Sequence, residues 1–185
     1  MLHRTVARAL IGAGAIALSA TVIPAAAASP APDAVITLHY DDSQAAEFKS
    51  AVAAGVASWN ASVRNVHIVA ATSGTRAEIQ VVAFDGWPQA NLGPVRPGGR
   101  VTVWFGREAV ADGYNTTRIA AHELGHSLGL PDAKPGPCSS LMSGSTGGVS
   151  CTNAAPNAAE KAGVEANYAN GVAGQPRGRV LVDAP

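Results

Sequence analysis

The sequence predicts one α/β domain of α+β character, a twisted mixed sheet carrying two long helices and a C-terminal helix. Three observations support this reading. The first half reads strand, helix, strand, strand, with apolar residues at period two in the strands and at three-and-four spacing in the helix. A strongly alternating segment, Arg100 to Phe105, precedes a second helical pattern, Thr116 to Leu128, which can be capped by Asn115 or Thr116. Removing a leader of 28 residues from the 185 leaves 157, enough for one core burying roughly two-thirds of its unfolded surface.

The leader is residues 1–28. Arg4 and Arg8 precede an apolar run from Ala9 to Ile23, and the small residues Ala25 to Ala28 precede Ser29, the pattern of a secretory signal peptide. The run is interrupted by Gly12 and Gly14 and stops at Pro24, which argues against a membrane anchor. Residues 29–33, SPAPD, read as a linker or short pro-segment, residues 34–170 as the folded domain and residues 171–185 as a tail without periodicity.

Taken in order, Val35 to Tyr40 is a half-buried strand with Ile36, Leu38 and Tyr40 on its apolar face. Asp41 to Ser43 offer caps for a helix of about four turns whose buried face is Ala45, Phe48, Val52, Val56 and Trp59. Val66 to Ala71 and Glu78 to Phe84 are the next strands. Asp85 to Gly99, rich in Gly and Pro, is an irregular loop that holds a very short edge strand near Ala90 to Leu92. Arg100 to Phe105 presents Val101, Val103 and Phe105 to the core, and Gly106 to Tyr114 links it to the second helix. Ala133 to Thr152 is mostly loop. Asn157 to Ala169 closes the domain as a helix, with Asn157 and Glu160 at capping-box spacing.

The charge left after leader removal is 11 basic against 13 acidic side chains, a net of −2. That balance makes nucleic acid an unexpected partner. No membrane contact is expected once the leader is gone, and the domain is expected to be a monomer. Cys138 and Cys151, the two cysteines present, are expected to pair in an oxidising compartment.

The chemistry concentrates in Ala121 to Asp132, AHELGHSLGLPD. His122 and His126, four apart, stand on one face of a helix, and Glu123 reaches the same space. Two imidazoles at this spacing suit zinc, with Glu123 as the base acting on a water activated by the metal. Gly129 can end the helix in a left-handed turn, so that the chain returns through Leu130 and Pro131 to offer Asp132 as third ligand. Three protein ligands leave a coordination position open, the catalytic pattern.

The stretch HELGHSLGLPD resembles the extended metzincin motif HExxHxxGxxH, with Asp132 in place of the third His. That variant is the one found in the snapalysin family, small secreted neutral metalloproteases of streptomycetes and related actinobacteria. The resemblance runs from about Val35 to Tyr168 and includes GPCSSLMSG, Gly136 to Gly144. It implies a zincin fold and a secreted zinc metalloendopeptidase acting on protein or peptide substrates. His122, His126 and Asp132 would be ligands, Glu123 the general base, Cys138–Cys151 a disulfide and Met142 the Met-turn residue beneath the zinc. Tyr or Phe would be preferred on the amine side of the scissile bond.

Two positions depart from the family. Its calcium segment, Asp-x-Thr, aligns here with Asn115, Thr116 and Thr117, and Asn supplies a neutral oxygen where Asp supplies charge. Two residues after Asp132, where members often carry Tyr, stands Lys134, a candidate for the oxyanion role. These departures motivate a second reading, a catalytically silent secreted binding protein on the same scaffold.

Overall fold

The computed structural model describes residues 34–169 and 178–185. The expected signal peptide, the linker at 29–33 and the 171–177 part of the tail lie outside the described residues.

The sheet is organised on its longest strand, β1 (Ile36–Gln44). Its alternation sends Leu38 and Tyr40 inward while Thr37 faces solvent. β2 (Val66–Ala70) pairs in parallel with the first half of β1, from Ile36↔Val66 to Tyr40↔Ala70. β3 (Ile79–Phe84) pairs in parallel with the second half, beginning at Tyr40↔Ile79. Neighbours in parallel ordinarily need a crossover helix. Here β3 starts at the level where β2 ends, so residues 71–78 join strands on opposite sides of β1 without one.

β4 (Gln89–Asn91) runs antiparallel to β5 (Val101–Gly106), which pairs in parallel with β3. β6 (Val180–Val182) adds antiparallel to β4, giving the order β2-β1-β3-β5-β4-β6. The mixed sheet agrees with the sequence reading, but two details do not. The segment near Ala90 is interior rather than an edge, and residues 180–182 of the tail form the strand that covers it. A three-residue strand is too short to show a period, and its partner lies far away in sequence.

α1 (Lys49–Asn60) and α3 (Thr116–Ser127) pack side by side on one face of the sheet. Their close approach depends on small residues. A Cβ on Gly55 would lie 2.9 Å from Ala120 Cβ, and the Trp59 indole N–H donates to Ala121 O at 2.7 Å. Ala45, Phe48, Val52, Val56 and Trp59 are all buried, as their spacing predicts, and Phe48 stacks on Phe105 at 4.1 Å between centroids. Asp41 to Ser43, however, cap no helix. They lie within β1, where Asp41 and Gln44 pair with β3 on either side of a register shift and Asp41 Oδ1 accepts from Ser43 N–H, and α1 is entered through a 3-10 turn at Ala46–Phe48.

The link between β5 and α3 contains a short helix, α2 (Arg107–Ala111). The loop after Asp132 holds a 3-10 segment, Leu141–Gly147, kinked at Gly144. α4 (Ala158–Tyr168) carries the expected capping box of Asn157 and Glu160. Among the described residues, no helix is long and apolar enough to cross a membrane.

Candidate metal centre

Asn115 caps α3, its side-chain oxygen accepting from Arg118 N–H at 2.9 Å. The helix ends in a left-handed turn at Gly129, where φ is +95°. Gly129 N–H donates to His126 O and Leu130 N–H to Gly125 O, at 2.9 and 3.0 Å. These paired closures form a Schellman turn. The turn brings Leu130 O to 2.8 Å from His126 Nδ1, while Leu141 O lies 3.0 Å from His122 Nδ1. A carbonyl only accepts, so both rings keep a proton on Nδ1 and turn Nε2, the atom a metal would take once that nitrogen is free of its proton, toward a shared space.

Asp132 Oδ1 enters that space, 3.4 Å from His122 Nε2 and 3.6 Å from His126 Nε2. Two ligands held at zinc–nitrogen distances about a tetrahedral ion would stand about 3.4 Å apart. Both Nε2 atoms, both Glu123 carboxylate oxygens and Asp132 Oδ1 are buried without a hydrogen-bond partner among the described residues. Buried polar atoms left unpaired are costly, and so many converging on one point match the coordination shell of a cation. The donor set, two imidazoles and a carboxylate, suits zinc.

The electrostatics agree with this convergence. Burial pushes the Glu123 carboxyl up to about 8. Burial lowers His126 to about 4, helped by the charge on His122. For His122, burial opposes the charged form, yet Asp132, Asp183 and Glu123 outweigh it and hold the ring up at about 9. Burial likewise works against the Asp132 carboxylate, but the two histidines and Lys134 keep it below the usual range.

The other sequence-predicted residues lie on α3 and in the loop that follows it. Met142 is buried under α3, where a Cβ on Gly125 would lie 2.6 Å from its Sδ, so the glycine makes room for the thioether. Cys138 and Cys151 are bonded, with their Cα atoms 5.5 Å apart. Thr117 lies in the first turn of α3 beside the Asn115 cap. Lys134 is not a solvated loop residue: its Nζ pairs with the Asp183 carboxylate and donates to Ala184 O at 3.1 Å.

Two buried charged residues, Asp183 and Arg118, escaped the sequence reading, and a third, Glu160, was read only as a helix cap. Asp183 Oδ1 lies 3.9 Å from His122 Nε2 and accepts from Ser145 N–H at 3.0 Å. With His122 and Glu123 it forms a second group whose potential ligand atoms all lie within 4.8 Å of one another. Glu160 accepts from Asn157 N–H, Leu141 N–H, Met142 N–H and Ser140 Oγ–H. Arg118 donates to Asn153 O, Ser140 O, Ser143 Oγ and Gly144 O. The capping box was a partial signal for Glu160, and a lone Arg inside an otherwise apolar turn of α3 was one for Arg118. Asp183 had none.

Comparison with known proteins places this geometry in context. Residues 35–171 match the model of the Streptomyces extracellular neutral proteinase (M7) family. An extracellular small neutral protease of Streptomyces sp. (strain C5) is 40% identical over 148 residues, covering 80% of this chain and 62% of that protein. One from Streptomyces caespitosus is 41% identical over 137 residues, covering 74% of this chain and 99% of that protein. The chain therefore spans less than two thirds of the longer relative. Among solved structures, high choriolytic enzyme 1, a hatching-enzyme zinc-protease of Oryzias latipes, aligns with TM-score 0.40 and 22% identity over 55% of this chain and 48% of that one.

Proposed function

From the premise that this chain belongs to the Streptomyces extracellular neutral proteinase family, the snapalysin family its motif resembles, we propose that it is a secreted zinc metalloendopeptidase. Its substrates are proteins or peptides, bound as an extended strand against the sheet edge near the metal. The observation that carries the reading is the set of unpartnered atoms on His122, His126, Asp132 and Glu123, buried and converging.

His122, His126 and Asp132 would hold the ion. When bound, zinc supplies Lewis acidity toward the attacking water and the scissile carbonyl. The remaining work falls to the chain. Leu130 O and Leu141 O orient the two imidazoles and fix their tautomers. Glu123, its carboxylate unpaired, takes the proton from water and returns it to the departing amine. The disulfide and Glu160 hold the loop that carries Leu141.

A silent scaffold would have no use for a buried carboxylate without a partner, because such a group only destabilises the fold. Calcium is no part of this reading: Asn115, whose oxygen caps α3, offers a neutral oxygen rather than a carboxylate. The test is zinc content together with casein hydrolysis in the presence and absence of a chelator. One zinc per chain and chelator-sensitive clearing are expected; clearing that survives complete metal removal would overturn the assignment.

A further inference from the structure

The same centre is approached by a group that no motif predicts. The 180–183 segment runs antiparallel along β4 in the register Gln89↔Val182, Ala90↔Leu181, Asn91↔Val180. The ladder is extended at both ends, by Leu92 N–H to Arg179 O at 2.7 Å and by Asp183 N–H to Pro88 O at 2.8 Å. Leu181 is buried, while Val180 and Val182 face outward. On its other side the segment is held by the turn at Gly144–Ser145, where Ser145 N–H reaches Asp183 Oδ1 and Ser145 Oγ–H donates to Ala184 O. The segment thus lies in a groove walled by β4 and this turn. Asp183 reaches the His122 side of the metal centre, facing His122, Glu123 and Lys134.

We propose that Asp183 is a fourth protein ligand of the metal, and that strand β6 occupies the peptide-binding edge, so that the folded chain keeps its own centre closed. Three protein ligands leave a position for water, and a fourth fills that position for as long as β6 stays in place. Two carboxylates also balance the charge of a divalent ion bound by two neutral imidazoles. Lys134 provides the outer hydrogen bond that ligating carboxylates ordinarily have. An extended substrate would need both features that β6 and Asp183 take up, the free edge of β4 and the open coordination position. The inference rests on the protease reading above and extends it to regulation of the same site.

The test compares the full chain, its Asp183→Ala variant and a chain ending at Ala169, each measured for zinc affinity by chelator competition and for casein hydrolysis. The expected result is a split: Asp183→Ala weakens zinc binding at least tenfold and raises casein hydrolysis at least tenfold. A merely structural Asp183 would lower both, and a bystander would move neither; either outcome overturns the proposal. If the shortened chain does not fold, the single substitution still decides. If it folds, a synthetic peptide spanning Arg179 to Ala184 should inhibit it in trans, and a peptide with Ala at the aspartate position should not; equal potency of the two would overturn the role of the carboxylate. Absence of casein hydrolysis in every form defeats the protease reading, whereas Asp183 as ligand is judged on the zinc affinity alone.

Discussion

Glu160 on α4 accepts the backbone N–H of Met142 at 2.8 Å, one residue beyond Leu141, whose carbonyl holds His122. The same carboxylate takes Leu141 N–H, Ser140 Oγ–H and its own cap, Asn157 N–H. A residue of α4 therefore fixes the carbonyl that orients the His122 ring. Glu160→Ala should cost about 3 kcal/mol of stability, the scale for removing a charged acceptor from buried donors. It should also weaken zinc binding roughly tenfold, as loss of an orienting contact does. Denaturant melts and chelator competition measure the two; unchanged zinc affinity would separate the loop anchor from the centre.

Glu123 has the opposite character, with no bonds for the fold to lose. Glu123→Gln should keep the fold and the zinc while reducing peptide hydrolysis by at least about a thousandfold, within the range expected of a general base. Casein hydrolysis and zinc content on one preparation check it. Activity near that of the parent would remove the assigned base.

Asp132 contributes through a single oxygen shared between both imidazoles. Asp132→Ala should lower zinc affinity about a hundredfold and leave the helix intact, because the Schellman turn at Gly129 closes without the carboxylate. Metal analysis after dialysis against a weak chelator would show the loss; full retention of zinc would discredit Asp132 as a ligand.

Zinc uptake should release a proton. In the metal-free protein His122 is held up at about 9 and is therefore charged at pH 7.5, whereas His126, lowered to about 4, is already neutral. A ligating imidazole must be neutral. Zinc affinity should thus rise roughly tenfold per pH unit from about 7 toward 9, then level off. Titration calorimetry in buffers of different ionisation enthalpy counts the protons, and a count of zero would contradict the charge on His122.

What could be read from the sequence followed the local character of each signal. The spacing of Ala45, Phe48, Val52, Val56 and Trp59 marked the buried face of α1, because helical period is written in adjacent turns. Gly129 announced its left-handed turn, since only glycine adopts it without strain. The boundary at Asp41 to Ser43 was misread because β1 runs on through these polar, cap-forming residues to Gln44, anchored at Asp41 and Gln44 by β3, a partner distant in sequence. The pairing of Val180–Val182 with β4, and with it Asp183 at the centre, depends on contact between segments some ninety residues apart. Nothing in the local pattern of either segment encodes that contact.

β6 stands last in the strand order, with no further strand resting on it among the described residues. It can therefore leave while β2, β1, β3, β5 and β4 keep their ladders, an opening with a free energy of its own, smaller than that of global unfolding. The molecule thus has two stabilities rather than one. Conditions that weaken the outer strand before the core, such as low urea or gentle warming, should raise hydrolysis before they abolish it. A domain without such a latch would lose activity monotonically as its structure loosens.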